Sequence, residues 1–298
     1  MPADHPQLVK AGEYLLAEEV TVKGDWAIRR PGLAPGGWAF EFQNDLYPDV
    51  DDAAVISLAL RELGIGDSAV RRALDWVAGM QSRNGGWGAF DADNTKHWIP
   101  KIPFCDFGAV IDPPSVDVSA HALEVLAPEG GYEPEVARGL EYLEREQEDD
   151  GSWWGRWGVN HLYGTGAALP ALEACGVSHD HPSMRRAVDW MSSAQHESGG
   201  FGEDIRSYSE REWRGRGVPT PSQTSWALLG YVAAGEADSE EARRASEWLC
   251  SIQRTDGDWD EAHYTGTGFP TDFMIRYHLY RLHFPVFALG RLRERLAR

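Results

Sequence analysis

Cysteine is nearly missing from this 298-residue chain: Cys105, Cys175 and Cys250 form an odd, scattered set with no C-x-x-C. That excludes a disulfide framework and a zinc knuckle, and leaves the three thiols as small apolar residues. Long apolar runs are missing too, and none approaches the ~18–20 residues of a spanning helix. The opening MPADHPQLVKAGEYLL has neither the basic flank nor the apolar core of a secretory signal, so a cytoplasmic protein is expected. Positive charge is scarce. Lys and Arg number 28 against 47 Asp and Glu, a net charge of −19. Binding to phosphate backbones needs clustered Lys and Arg, so no nucleic-acid partner is expected. Hydrophobic residues at 42% and charged residues at 25% still describe a globular chain with a sizeable core. No linker composition interrupts it, so residues 1–298 read as a single domain.

Two residue types are in excess, 13 Trp and 32 Gly, and they occur together. Four segments align: RALDWVAGMQSRNGGW (72–87), RGLEYLEREQEDDGSW (138–153), RAVDWMSSAQHESGGF (186–201) and RASEWLCSIQRTDGDW (244–259). Each runs from Arg and a small residue to an aromatic, then Gln, a polar turn, Gly and a second aromatic. Gln81, Gln147, Gln195 and Gln253 are 66, 48 and 58 residues apart, so inserts of variable length separate a constant unit. Ala73, Trp76, Val77 and Met80 fall on one face of an amphipathic helix that ends at Asn84-Gly85-Gly86. The Gln81 amide is placed to cap the next helix or bond the turn, and the Trp87 ring to seal the gap between units.

Between these units lie more apolar stretches, 50–63, 115–127, 161–175, 220–234 and 271–282. Alternation of apolar with amphipathic helices predicts two concentric layers, hence an all-α fold, a single α/α barrel (toroid) of about five to six hairpins. The helix Gln7–Glu18 joins the outer layer. Segments 23–48, 88–114 and 202–219 are long for connections, which points to function.

Several further motifs carry a resemblance: PDVDDAA (48–54), PFCDFGAVIDPPSVDVSAH (103–121), DGSWWGRWGVNHLYGTGA (150–167), TPSQTSWALLG (220–230) and TGTGFPTDF (265–273). With the repeats, they closely resemble the squalene-hopene cyclases from residue 5 onward. The likeness is to the C-terminal half of such enzymes, and the second barrel of full-length members has no counterpart here. The implied function is a class II, protonation-initiated terpene cyclase acting on a linear polyprene, a squalene-type triterpene first, with no cofactor and no metal. The alternatives are a cyclase of a shorter sesqui- or diterpenoid, or an inactive half-cyclase needing a partner chain.

Asp49, Asp51 and Asp52 open the helix at residue 50. Capping explains one Asp at a helix start. Three carboxylates in four residues exceed what a cap needs, and their repulsion raises at least one pKa. A carboxyl kept protonated at neutral pH is a proton donor. The resemblance makes Asp51 the acid that protonates a terminal alkene, and His121 the group that sharpens it. A lone His is otherwise read as a satisfied core residue. Asp117, one turn before His121, orients or charges it, and Tyr163 supports the same network. The resemblance further implies that Phe40, Phe90, Trp157, Phe269, Phe273, Tyr277 and Tyr280 face a cation with their rings. Phe104 and Cys105 match a channel constriction. Steps of 4, 4 and 3 put Phe269, Phe273, Tyr277 and Tyr280 on one face of one helix. Phe90 stands where the family usually has Tyr, Glu41 where it has Gln, and Ala53 where it has Thr.

Other motifs fail. Asp256-x-Asp258-x-Asp260 lacks the Gly and Glu of a calcium loop, with Glu261 sixth and Thr267 twelfth. No magnesium D-D-x-x-D, P-loop or G-x-G-x-x-G appears. A barrel glycoside hydrolase also uses paired carboxylates and Trp, but the D-V-D-D spacing and the repeats favour the cyclase. A prenyltransferase β-subunit needs a zinc set that cannot be assembled. An aromatic barrel mouth left uncovered is expected to self-associate, bind a complementary chain, touch the inner face of a membrane peripherally, or be closed by its own loops.

Overall fold

A computed structural model describes residues 3–41, 43–44, 46–102 and 110–298. Helices dominate: α1 (Pro6–Ala17), α2 (Val50–Leu63), α3 (Asp67–Gly79), α4 (Val116–Leu126), α5 (Glu133–Glu146), α6 (His161–Ala174), α7 (Pro182–Ala194), α8 (Pro221–Ala233), α9 (Glu240–Ser251) and α10 (Tyr280–Leu296). Two short antiparallel ribbons join them, β1 (Trp38–Ala39) with β2 (Pro48–Asp49), and β3 (Gly266–Phe269) with β4 (Phe273–Ile275). The chain divides into two compact units, Met1–Trp98 with Ile111–Tyr142, and Ile99–Val110 with Leu143–Arg298.

In the first unit α2 packs on α3 and α4. In the second, α8 packs on α6, α9 and α10. Every residue of α8 except Leu229 is buried, and α6 is nearly as enclosed. Helices α3, α7 and α9 instead bury a single stripe, such as Ala73, Trp76 and Val77 of α3. The apolar and amphipathic stretches therefore differ in burial as their patterns require.

The repeats supply the joints. In three of them the Gln amide donates twice: to the carbonyl of the Gly four residues on, and to a carbonyl in the first turn of the next amphipathic helix. Gln81 bonds Gly85 and Glu135 (both 2.8 Å), Gln147 bonds Gly151 and Ser183, and Gln195 bonds Gly199 and Glu241 (all 2.9 Å). The amide thus meets a carbonyl and does not cap a free helix N–H. Its oxygen accepts from the Arg that opens the next repeat, Arg138, Arg186 or Arg244. Gly85, Gly151 and Gly199 have φ of +94° to +96°, and a Cβ there would stand 2.4–2.7 Å from that Arg's carbonyl oxygen. Only glycine serves. The indoles of Trp87, Trp153 and Trp259 donate to the carbonyls of Val77, Leu143 and Leu249, ten residues back.

A fifth repeat, absent from the alignment, opens the series. Lys10, Ala11 and Tyr14 of α1 hold the Arg, small and aromatic positions, and the Trp38 indole donates to Leu15 (2.6 Å). Glu19 stands in the place of Gln and pairs with Arg72 through both oxygens (2.7 and 2.6 Å). Gly36 meets the Arg72 carbonyl as Gly85 meets that of Arg138.

One predicted helix is absent. Residues 271–282 form β4, a connection and only the start of α10. Gly266, Gly268 and Pro270 favour a turn over a helix, and Thr271, at φ +74°, reverses the chain.

Gln81→Ala strips two carbonyls and an Arg of their partner, and should lower stability by about 1–3 kcal/mol. Gln253→Ala removes a single exposed bond to Gly257 and should cost under about 0.5 kcal/mol. Urea midpoints of the two variants compare them directly.

Candidate active site

Extended backbone at Asp49 (φ −106°, ψ 131°) passes into α2, and the Val50 N–H donates to Ala89 (2.8 Å). Asp49 is the N-cap: its Oδ1 accepts from the N–H groups of Asp51 (2.7 Å) and Asp52 (3.3 Å). Capping therefore accounts for Asp49, which is buried. It does not account for Asp51, whose Oδ1 meets His121 Nδ1 across 70 residues of sequence. The Asp51 and His121 side chains keep 29% and 20% of their surface, so the pair is open on one side. Asp117, one turn before His121 on α4, is buried. The backbone at Phe90 is anchored by Asp112, whose Oδ2 accepts from the N–H groups of Phe90 (2.6 Å) and Asp91 (3.1 Å). Phe40 follows β1 and is half exposed, and Glu41 is exposed.

Burial and neighbouring charge shift the titration of Asp49, Asp52 and His121. Burial, then the charges of Asp52 and Asp51, raises Asp49 well above the usual carboxylate range, against the pull of its two backbone donors. Burial and the Asp51 charge raise Asp52 to about 7. At His121 burial opposes the charge. The Asp51 charge and hydrogen bond, with Glu124 and Asp117 behind them, outweigh it and hold the ring near 9.

All three raised groups bind a proton more tightly folded than unfolded, and for Asp52 and His121 the pH range follows. The His121 contribution is full below its ordinary 6.5 and is lost as pH rises through about 9. That of Asp52 is full below 3.8 and is lost as pH rises through about 7. The melting temperature should therefore fall from roughly pH 4 to pH 9, and Asp52→Asn should flatten the lower part of that fall. A melting series across this window checks both statements, and a flat wild-type profile contradicts them.

The second unit gathers aromatic rings. Tyr163 of α6 stacks at a tilt on Trp226 of α8, centroids 4.7 Å apart. Trp226 meets Tyr280 (6.0 Å) and Phe284 (5.4 Å) edge-on, and Tyr277 lies 4.7 Å from Tyr280. Trp157 sits on a loop with the Arg156 guanidinium 5.1 Å over its ring. The loop wraps Tyr163 so closely that a Cβ at Gly155 or Gly158 would strike the ring or the helix start. Phe269 and Phe273 face each other at 6.4 Å across the β3–β4 turn. The single-helix stripe is thus corrected: Phe269 lies on β3, Phe273 on β4, Tyr277 between β4 and α10, and only Tyr280 on a helix. Steps of 4, 4 and 3 fit a helix, but the glycines and Pro270 before them do not.

Phe104 and Cys105 lie outside the described residues. Trp226, Phe284, Asp112 and Glu124 were not singled out from sequence. Trp226 lies inside the TPSQTSWALLG motif, which was the available signal, and Glu124 falls one turn after His121. Among the described residues no cluster of three or more His, Cys, Asp or Glu is arranged to hold a metal ion. None of their helices is long and apolar enough to cross a membrane.

The chain is 53% identical over 306 residues to squalene–hopene cyclase of Alicyclobacillus acidocaldarius, covering 100% of this chain and 48% of that protein. It is 42% identical to dammaradiene synthase of Dryopteris crassirhizoma, covering 99% and 48%. It thus spans about half the length of these curated relatives. Among solved structures, a variant of the type II terpene cyclase MstE from Scytonema, in complex with geranylgeranyl dihydroxybenzoate, superposes with a TM-score of 0.68. Identity there is 20%, with 98% of this chain and 84% of that one covered, and it speaks for the fold alone. That fold is all-α and of the α/α-barrel type. The model of the squalene-hopene cyclase C-terminal domain matches residues 1–294. With that match and half-identity to a curated member, the chain belongs to the squalene-hopene cyclase C-terminal domain family.

Proposed function

We propose that this chain carries the acid and part of the cation-facing wall of a class II terpene cyclase, with Asp51 as general acid. The observation that carries the reading is the His121–Asp51 contact at a helix start whose other two carboxyls are held toward their protonated forms. In the competent state Asp51 is protonated and accepts a hydrogen bond from His121. Its O–H gives a proton to the terminal alkene carbon of a linear polyprene, leaving a tertiary carbocation. The carboxylate that remains is stabilised at once by the imidazolium. Successive alkene π bonds then close rings, and loss of a proton ends the cascade, so no atom is gained or lost overall. Rings such as Trp157, Tyr277, Tyr280, Phe269 and Phe273 stabilise cations without trapping them. Phe90 serves the same end without the hydroxyl its relatives usually carry.

The substrate proposed first is a squalene-type triterpene, in line with the names of the relatives. The chain, Glu41 and the exposed Phe40 included, is proposed to act as one domain, in peripheral contact with a membrane or a complementary chain. Incubation of the pure chain with C15, C20 and C30 linear polyprenes, read by mass spectrometry, tests the reading. A cyclic isomer of any one of them is expected. Release of reducing sugar from a glycan, with no cyclised polyprene, would sink it.

A further inference from the structure

Three successive carbonyls in the loop that carries Trp157 are each claimed by a different part of the chain. The Trp157 carbonyl accepts from the Thr267 N–H of β3 (3.1 Å), the Gly158 carbonyl from the Tyr208 hydroxyl (2.9 Å), and the Val159 carbonyl from the Gln223 side-chain amide (2.9 Å). The Val159 N–H in turn donates to Thr265 (2.9 Å). Residues 155–159, Gly-Arg-Trp-Gly-Val, include two glycines and have little rigidity of their own. The loop is held from outside. It runs beside β3 as a short added strand, with Gly158 bridged to Gly266. Each glycine of that bridge lies against a ring. A Cβ at Gly158 would stand 2.5 Å from the Tyr163 ring, and one at Gly266 would stand 2.6 Å from the Tyr277 ring. The bridge therefore fixes the places of Tyr163 and Tyr277, and Trp157 and Phe269 belong to its two strands.

Gln223 grips this assembly from the first turn of α8. It is buried, and every hydrogen-bonding position of its amide is used. Nε2 donates to the carbonyls of Val159 and Glu203 (2.9 and 3.0 Å), and Oε1 accepts from the Glu203 N–H (3.1 Å) and the Thr220 hydroxyl (3.0 Å). The two bonds to Glu203 keep the amide from turning, so the Val159 carbonyl meets a donor fixed relative to α8. The neighbouring Ser222 hydroxyl bonds Thr265 (3.0 Å), on the other strand of the bridge. One turn further along α8, Trp226 packs on Tyr163 and Tyr280. A single helix start thus holds both strands, and its next turn carries a ring packed on one of the rings they place.

We propose that Gln223, with Tyr208 in support, is a positioning residue for the cyclisation: it fixes residues 157–159 on β3, and through them the places of Trp157, Tyr163 and Tyr277. Neither Gln223 nor Tyr208 needs to touch the polyprene. The inference rests on the reading above that Trp157 and Tyr277 face the cation. A ring stabilises a cation only when the charge lies within about 6 Å of its centre. A misplacement of about 1 Å in a reacting site can cost about 10²-fold in rate. A cation left without its ring loses a proton before the next alkene π bond reaches it, and the product is then an isomer with fewer rings. Loosening the grip of Gln223 should therefore change which product forms as well as how fast.

The test reads ring position and product together. The full chain is labelled with fluorotryptophan, and the Trp157 fluorine signal is identified by its loss in Trp157→Phe. Gln223→Met and Tyr208→Phe should both move that signal, whereas Gln81→Ala, which strips two carbonyls in the other unit, should leave it in place. The substrate is squalene, or the C15 or C20 polyprene if the chain cyclises only that. Gln223→Met should lower kcat about 10-fold with KM unchanged within about 2-fold. The share of product with fewer rings should rise in Gln223→Met and Tyr208→Phe, and stay at the wild-type value in Gln81→Ala. Tyr208→Phe removes a single hydroxyl, and decides alone if Gln223→Met fails to fold. A Trp157 signal that stays put, or that Gln81→Ala moves as far, overturns the inference, as does an unchanged product pattern. A wild-type chain that cyclises nothing counts against the function proposed above. The fluorine signal needs no turnover and still decides this inference.

Discussion

Asp51→Asn should lower cyclisation by about 10³-fold or more while leaving the helical fold intact. The expectation divides the acidic triplet by geometry. Asp49 holds the cap, so the start of α2 survives the substitution. The amide that replaces the carboxyl keeps its volume and a hydrogen-bond acceptor for His121, and loses only the transferable proton and the charge. Without that charge the largest influence raising His121 disappears, and its pKa should fall from about 9 toward or below its ordinary 6.5. Nitrogen-15 shifts of the His121 ring check this whether or not product forms. His121→Ala should cost less in rate, because it removes the group that strengthens the acid and keeps the acid itself. Substantial turnover by Asp51→Asn would move the proton donor elsewhere.

The largest loss of stability is expected far from that pair in sequence, at Glu203. This carboxylate is fully buried with His161, whose Nδ1 lies 3.1 Å from Oε1. Its other oxygen accepts from the N–H groups of Leu162 (2.8 Å) and Asn160 (3.2 Å). Helix α6 has no side-chain cap from Asn160, so Glu203 serves its free N–H groups from 41 residues away. Burial pushes the Glu203 carboxyl up, but the His161, Leu162 and Asn160 donors outweigh it and leave it below the ordinary range. Glu203→Ala abandons two buried backbone donors and a buried imidazole, and should cost about 3–5 kcal/mol. At about 2–4 °C per kcal/mol for a chain of this size, the melting temperature should drop by roughly 6–20 °C. Glu203→Gln keeps acceptors for the backbone and should lose about half as much. A loss under about 1 kcal/mol for Glu203→Ala would show that water replaces the carboxylate.

Much of this was legible because the repeat is local. Arg, aromatic, Gln, Gly and Trp lie within one short segment such as 72–87, and each interacts at a fixed offset, so the alignment alone exposes the joint. The fifth copy was illegible for the same reason. Glu19 replaces Gln, and Leu15 and Trp38 are 23 residues apart where the others are ten. The Asp51–His121 contact came through resemblance, since nothing in residues 49–52 points to a histidine 70 positions on. Glu203 and Asp112 escaped notice because a carboxylate that serves backbone N–H groups leaves no pattern in its neighbours. The aromatic stripe misled because spacings of 4, 4 and 3 suit both a helix and a twisted ribbon, and only the glycines before it decide.

The indole bond that closes each repeat also sets an order in time. Joining residues ten apart costs little chain entropy, so the units holding Trp87, Trp153 and Trp259 can close early and nearly independently. The Trp38–Leu15 bond must close a loop more than twice as long, at an extra cost of about 0.7 kcal/mol. Loop length within the repeat therefore has a kinetic corollary: the segment from Glu18 to Gly37 locks last and opens first. Its amides are the ones that should exchange with solvent ahead of every other joint in the molecule.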